Sequence, residues 1–209
     1  VDKGLMLIPV SLLEPSFIKN LKSDVELLRG LKQQWNDMTQ KMSLDPKVKH
    51  VSDQVSNLLN ENPERKIIIF TSYTDTANYV EAKLRDDGLK VLKYTGSNAS
   101  TKNKDTVKKN FDAGVAEDKQ ENDYDVLVAT DAISEGYNLH RAGVIINYEI
   151  TYNPVRVVQR VGRINRINKK VFDELHILNF VPSDIGESEV SIKRISSLKM
   201  HLMNEFMGT

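Results

Sequence analysis

Cysteine is absent from the 209-residue chain, and its absence removes three classes of chemistry. Without a thiol the protein has no disulfide bond, no cysteine nucleophile and no cysteine-ligated zinc. The same absence is compatible with a reducing cytosol, so a cytoplasmic location is expected. The chain starts at Val1 without a methionine, which suggests a fragment excised from a longer protein.

Two further features are missing: an excess of one charge and a long apolar run. Lysine plus arginine and aspartate plus glutamate each total 29, so the formal net charge is zero. A balanced charge argues against a protein that coats nucleic acid nonspecifically, but it permits a local basic stripe. No apolar run reaches the length of a membrane span and no signal-peptide pattern opens the chain, so no membrane partner is expected.

Recognisable metal and phosphate motifs are also lacking. The four histidines have no metal-ligand spacing, so no metal site is predicted. A P-loop requires G-x-x-x-x-G-K-[S/T], and the nearest candidate, Gly96–Lys102, lacks the second glycine. The chain by itself is therefore expected not to hold the phosphates of ATP as a P-loop enzyme does.

Apolar runs alternate with helical patterns along most of the chain. Strands are predicted near residues 67–71, 90–94, 125–130, 144–148 and 174–181, with helices between the earlier ones. This alternation predicts an α/β fold with a mostly parallel sheet and helices on both faces. The 40% hydrophobic content is enough for a sizeable core.

Helical extensions and loops flank this alternating region. Pro15 is expected to open a helix whose apolar stripe makes core contacts, and Asp45-Pro46 is expected to open a second helix. A last amphipathic helix is predicted from Ile192 onward, after the polar stretch Ser183–Ser188. The polar insert Gly114–Asp123 is interpreted as a mobile surface loop.

The octet Gln159–Arg166, which reads Q-R-V-G-R-I-N-R, follows the turn signal Asn153-Pro154. Arg160, Arg163 and Arg166 lie three apart, so a helix would cluster them near its end. Guanidinium groups are planar and permanently charged, which suits the oxygens of a polyphosphate. Taken alone, the octet is equally typical of a solvated basic helix face.

Four segments resemble motifs of superfamily 2 helicases in family order. The octet resembles motif VI, and the strand-to-loop segment 125–139 resembles motif V. Residues 66–73 and 91–97 are similar to motifs IV and IVa. The join Tyr148–Arg166 resembles in particular the Swi/Snf-like bacterial ATPases related to the RNA-polymerase-associated recycling factor. This resemblance implies a RecA-like P-loop NTPase-type domain, the second lobe of a two-lobed motor.

The resemblance also implies a domain division and a set of functional residues. Residues 1–44 would be a helical extension or linker from a first lobe, 45–182 the RecA-like domain and 183–209 a C-terminal helix. Catalytic arginine fingers would be Arg163 and Arg166. Nucleotide-binding residues would be Gly136, Asn138, Gln159 and Arg160, with Arg160 more suited to tying motif VI to its neighbours. Residues that contact the phosphates of a nucleic acid would be Thr71, Ser72, Thr95, Gly96 and Thr130.

Cofactor and partners follow from the same resemblance. The cofactor would be ATP, with Mg²⁺ held by the first lobe, and the isolated chain would be inactive. The partners would be that lobe and a nucleic acid, with DNA favoured. An aspartate is common in related helicases at the position of Asn138, which puts a ribose contact there in doubt. The alternatives are an RNA helicase lobe and a non-catalytic interaction module that retains the fold.

Overall fold

The computed structural model describes residues 9–41, 45–133, 137–165 and 171–207. The chain divides into two compact units, Val1–Lys49 and His50–Thr209. The division at residues 44 and 182 inferred from the sequence remains a prediction.

The first unit contains one long helix, α1 (Pro15–Lys41), after a short 3₁₀ turn. Pro15 lies at its first position, where a proline removes no helical hydrogen bond. The apolar stripe of α1 was expected to make core contacts, but Leu28 is 63% exposed and Trp35 is 64% exposed. That expectation is therefore wrong for the helix described here.

Five parallel strands form the sheet of the second unit. Their order across the sheet is β2-β3-β1-β4-β5. Each strand is a short run rich in β-branched or aromatic residues, and the central strands are buried on both faces, as is typical of parallel sheets. The predicted α/β class with a mostly parallel sheet is confirmed. The strands are β1 (Lys66–Phe70), β2 (Val91–Tyr94), β3 (Val126–Ala129), β4 (Ala142–Asn147) and β5 (His176–Asn179).

Six further α-helices occur among the described residues. The helix after β1 buries Ala77, Val80 and Leu84 on one side, which follows from their three- and four-residue spacing. Within the described ranges, no helix combines the length and the apolar character needed to cross a bilayer. The helices are α2 (Pro46–Glu61), α3 (Thr74–Asp86), α4 (Thr101–Phe111), α5 (Pro154–Ile164), α6 (Asp184–Val190) and α7 (Ile192–Met207).

The ends of α3 show how local sequence sets helix boundaries. Tyr73, in extended conformation, occupies the N-cap position and makes no side-chain cap bond, and Thr74 and Asp75 form the first turn of the helix. After the helix, Gly88 adopts a φ of 85°, in the left-handed region that glycine enters without steric cost. The chain then turns back to enter β2.

Two polar segments make defined local contacts. The polar stretch after residue 182 forms α6, whose N-cap Ser183 accepts a hydrogen bond from the Gly186 amide. The insert Gly114–Asp123 is anchored by its backbone, because the Glu121 amide donates to the Lys109 carbonyl at 3.0 Å. Arg141 also donates to both of these residues' carbonyls. The mobility of this loop stays a prediction.

Candidate nucleotide and nucleic-acid interface

The carboxyl ends of the parallel strands meet at one edge of the sheet, where open α/β folds bind their ligands. Phe70 at the end of β1 pairs with Ala129 of β3 and Asn147 of β4, so three strands end level with one another. The segments that follow carry most of the site residues predicted from the sequence. Polar residues at or just beyond the ends of successive strands are Thr71, Thr95, Thr130, Asn147 and Asn179.

Helix α5 starts beside this edge through a local cap. The Asn153 side chain accepts a hydrogen bond from the Val155 amide at 3.1 Å, and Pro154 occupies the first turn. An asparagine cap followed by proline is a strong helix start, because the cap satisfies an amide that has no helical partner and proline has none to satisfy. The helix carries Arg156, Arg160 and Arg163, and Arg160 reaches the carboxyl ends of the strands.

Arg160 is fully buried on the inner side of α5. Its Nε donates to Oδ1 of Asp131 at 2.8 Å, and its Nη1 donates to Oδ1 of Asn147 at 2.8 Å. The guanidinium also lies over the Phe70 ring, 4.9 Å from the centroid. Its Nη2 has no hydrogen-bond partner among the described residues. The side chain thus joins α5 to the ends of β1, β3 and β4.

The outer side of α5 presents different groups. Gln159 is exposed and Arg163 is half-buried, and at a spacing of four residues they lie on the same helix face. The Leu139 amide donates to the Arg163 carbonyl at 3.0 Å, which ties the end of α5 to the segment after β3. The Arg163 guanidinium has no hydrogen bond or ion pair with any residue that the structure describes.

Of three other residues predicted to bind the nucleotide or act as arginine fingers, the structure describes only one. Gly136 and Arg166 lie outside the described residues. Asn138 is half-buried between Tyr137 and Leu139, both of which are buried. The Tyr137 hydroxyl lies 2.9 Å from that of Tyr94, which anchors this segment to β2. Burial, and secondarily this hydrogen bond, raises the pKa of Tyr137 well above its usual value, so the hydroxyl keeps its proton at neutral pH.

Thr71 and Ser72, just after β1, both donate hydrogen bonds to one carboxylate. Oε1 of Glu149 accepts from the Thr71 hydroxyl at 2.7 Å and from the Ser72 amide at 2.5 Å. Thr71 is fully buried. Sequence reasoning did not single out Glu149, nor did it select Asp131 and Asn147. Their one available signal was a position at the end of a buried strand or two residues beyond it.

Thr95 and Gly96 open a compact turn after β2. The Thr95 amide donates to Oδ1 of Asn98 at 2.6 Å, and the Asn98 side chain donates back to the Lys93 carbonyl. The Thr95 side chain is buried, whereas Gly96 is exposed. Thr130 directly follows β3, the neighbouring strand of the sheet, and its amide donates to the Tyr94 carbonyl at 3.1 Å. The backbone of this turn is thus the accessible part of the predicted phosphate contact.

The residues on the outer face of α5 have the chemistry to bind the oxygens of a nucleoside triphosphate. The outer face of α5 offers the Gln159 amide and the Arg163 guanidinium, both suited to phosphate or ribose oxygens. The sequence has no P-loop to surround the β- and γ-phosphates. Among the described residues, no group of three His, Asp or Glu side chains could hold a metal ion. The described residues therefore offer a guanidinium and an amide on one helix face, but neither a P-loop nor a metal site.

The family model of the helicase conserved C-terminal domain matches residues 48–168, more than half of the 209 residues. The chain belongs to this helicase family. Its sheet and flanking helices are those of the RecA-like helicase C-terminal lobe, because the C-terminal part of the Fun30 ATPase domain superposes with a TM-score of 0.56. That structure is 19% identical in sequence, and the match covers 88% of this chain and 62% of the Fun30 fragment in the crystal.

Two curated relatives of this helicase lobe are similar in sequence. The uncharacterised ATP-dependent helicase YqhH of Bacillus subtilis is 32% identical over 155 residues, which are 74% of this chain and 25% of YqhH. The putative ATP-dependent RNA helicase MJ1505 of Methanocaldococcus jannaschii is 33% identical over 121 residues, 58% of this chain and 15% of the relative. The chain thus spans about a quarter or less of the length of these relatives.

Proposed function

We propose that this helicase lobe is the second motor lobe of an ATP-dependent DNA translocase or helicase of the Swi/Snf-like bacterial type. The observation that supports this proposal is that two arginines of α5 have different surroundings. Arg160 is held in the interior by Asp131 and Asn147, while the Arg163 guanidinium has no partner among the described residues. A buried arginine that fixes the helix, with a second guanidinium one turn along that no described residue binds, is the arrangement that an arginine finger needs, because a fixed helix positions the charge without reorganisation.

On the nucleotide side, Arg163 and Arg166 act as arginine fingers. ATP, when bound, supplies the phosphoryl group whose transfer to water drives the motor, and Mg²⁺ and the P-loop come from the first lobe. The Arg163 guanidinium donates to phosphate oxygens as charge develops on them. Gln159 hydrogen-bonds the nucleotide from the same helix face, and Asn138 and Gly136 approach it from the segment after β3. Arg160 orients α5 for these contacts.

On the nucleic-acid side, backbone phosphates lie along the carboxyl edge of the sheet. Thr95, Gly96 and Thr130 follow two adjacent strands, β2 and β3, and Thr71 and Ser72 follow β1. Hydroxyl and backbone N–H donors at these positions contact phosphates without reading bases, so the contacts are independent of sequence. Lobe closure on ATP and reopening after hydrolysis would then move the lobe along the strand.

Double-stranded DNA is our preferred substrate, because the join Tyr148–Arg166 resembles the Swi/Snf-like motors. A specific observation favours RNA as the second candidate, since the relative MJ1505 is named an RNA helicase. A third possibility, from a different functional class, is an interaction module that keeps the fold without hydrolysing ATP. The cytoplasmic location expected from the lack of cysteine stays a prediction.

One assay separates these candidates. ATP hydrolysis is measured for a protein that contains this lobe together with a P-loop lobe, with double-stranded DNA, single-stranded DNA and RNA added at equal nucleotide concentration. We expect double-stranded DNA to give the largest stimulation, and the present chain alone to show no turnover above buffer. Stimulation by RNA alone would favour the RNA helicase. Absence of hydrolysis with every nucleic acid would contradict the motor and favour the interaction module.

A further inference from the structure

The two hydrogen-bond donors at the end of β1 are already committed. The Thr71 hydroxyl has one proton, which it donates to Glu149, while its oxygen accepts from the Tyr73 amide at 3.3 Å. The Ser72 amide donates to the same Glu149 oxygen. A phosphate oxygen could not bind these two donors while the carboxylate remains, because each donor has only one proton to share.

Sheet register explains why Glu149 reaches this position. β4 lies next to β1, and the Tyr148 amide donates to the Phe70 carbonyl at 2.9 Å, which continues the ladder by one residue beyond the strands. Glu149 therefore leaves the sheet directly beside Thr71 and Ser72. The side chain is half-buried, so its charge is only partly screened by solvent.

A carboxylate and a backbone phosphate compete for the same hydrogen-bond donors. Both are anions that accept hydrogen bonds from hydroxyl and amide groups, and donors that bind one will bind the other. A phosphate that approached Thr71 and Ser72 would also be repelled by the negative charge of Glu149. Either effect lowers the affinity of this end of the sheet for nucleic acid.

We propose that Glu149 is a built-in competitor for the backbone phosphate of a nucleic acid at Thr71 and Ser72, and that phosphate binding there requires its displacement. The inference rests on the proposed nucleic-acid contact of this lobe. In the state described here, Glu149 keeps the contact at β1 closed, whereas Gly96, in the turn after β2, stays exposed. The lobe then makes all of its proposed contacts with a nucleic-acid strand only when the segment after β4 moves.

The primary test replaces Glu149 with glutamine, which keeps the size and the acceptor oxygen but removes the charge. Binding of the present chain to a short fluorescent DNA duplex is measured by anisotropy at low salt. We expect Glu149→Gln to tighten binding by about tenfold, the factor of a hydrogen bond to a charged group. Adding Thr71→Val to Glu149→Gln should remove most of the gain, because the donor that the phosphate uses is lost.

The matched control is Asp75→Asn, which removes the same charge from the first turn of α3. It should change affinity by less than about twofold, because an exposed charge is screened by salt. Equal gains from Asp75→Asn and Glu149→Gln would overturn the proposal, since the effect would then be general charge reduction. Glu149→Asp is a second variant. Its shorter carboxylate cannot reach both donors in the same way, so a smaller gain in the same direction is expected.

A measurement with inorganic phosphate separates failure of this inference from failure of the proposed function. The Ser72 amide is followed by ¹⁵N–¹H correlation spectra during a phosphate titration. We expect it to shift in the Glu149→Gln chain and not in the original chain. If that holds while no variant binds DNA or RNA, the competition stands and the nucleic-acid function fails. A Ser72 amide that does not respond in either chain, with unchanged DNA affinity, overturns the inference.

Discussion

Asp131 binds Arg160 and Arg156 at the same time, one through each carboxylate oxygen. Oδ1 accepts from the buried Arg160 Nε at 2.8 Å, and Oδ2 accepts from the Arg156 Nη1 at 2.9 Å. The two arginines are one helical turn apart on α5. A single carboxylate after β3 therefore sets the position of the helix that carries the proposed finger.

Replacing Asp131 with alanine should destabilise the chain strongly. The change leaves the Arg160 guanidinium buried without its counter-charge, which costs about 3–5 kcal/mol of unfolding free energy. Arg156→Ala is the control: its side chain is 51% exposed, so its loss should cost less than about 1 kcal/mol. Urea unfolding at neutral pH measures both. Similar costs for the two variants would contradict the assignment of Asp131 to the buried pair.

Replacing Arg163 should impair turnover far more than folding. If its guanidinium stabilises charge on the transferred phosphoryl group, Arg163→Ala in the two-lobed ATPase should lower kcat by roughly 10³–10⁵-fold. Lysine should rescue poorly, because an ammonium group cannot reproduce the two-pronged geometry of a guanidinium. The same loss is expected for Arg166→Ala.

Steady-state ATP hydrolysis and thermal unfolding together test this prediction. Arg194→Ala is the matched control, because Arg194 is exposed on α7 and its loss changes the net charge by the same amount. It should leave kcat unchanged. Parental turnover in both Arg163→Ala and Arg166→Ala would show that the octet is a solvated basic face, and the motor proposal would lose its main support.

Nucleic-acid binding by this chain alone should be weak and sensitive to salt. One lobe makes few phosphate contacts, and each releases counterions on binding, so log K should fall linearly with log salt with a slope of about −0.9 per phosphate neutralised on duplex DNA. Anisotropy titrations with two duplexes of unrelated sequence, from 25 to about 200 mM salt, measure both properties. Tight and sequence-selective binding at high salt would require a base-reading surface and would rule out this description.

The fold could be predicted from the sequence because its strands are local signals. Runs such as the one that forms β1 are short, β-branched and bounded by turn residues, so their existence did not depend on tertiary contacts. The order β2-β3-β1-β4-β5 could not be predicted in this way, because pairing is set by how the helices between strands pack.

The site was less accessible to sequence reasoning. In α5, Val155, Val158 and Val161 recur every three residues, as is typical of a helix, yet Val158 is 53% exposed and Arg160 is fully buried. A charged residue takes the core position because Asp131 and Asn147 satisfy it, and both arrive from distant strands. The role of Glu149 could not be predicted for the same reason, because its partners lie 77 and 78 residues away in the chain.

Lys66 is a buried cation whose ionisation should affect stability. It is 4% exposed, donates to the Tyr124 carbonyl at 2.5 Å and lies 5.2 Å from the centre of the Phe111 ring. Burial, with a smaller contribution from the nearby Arg141 charge, lowers its pKa from 10.5 to about 8. Folding therefore disfavours the charged form of this lysine.

The sign of the pH dependence follows from proton counting. Between the folded pKa of about 8 and the unfolded value of 10.5, the unfolded chain binds the Lys66 proton and the folded chain does not, so this lysine makes stability rise with pH. Below about pH 8 both states are protonated and the contribution is constant.

From pH 8 to 10, the chain should therefore gain roughly 1–2 kcal/mol relative to Lys66→Met, with solvent screening allowed for. Urea unfolding at several pH values measures the difference, and the exposed Lys90→Met is the control that should track the original chain. A constant difference between the original chain and Lys66→Met across this range would show that Lys66 keeps its proton when folded.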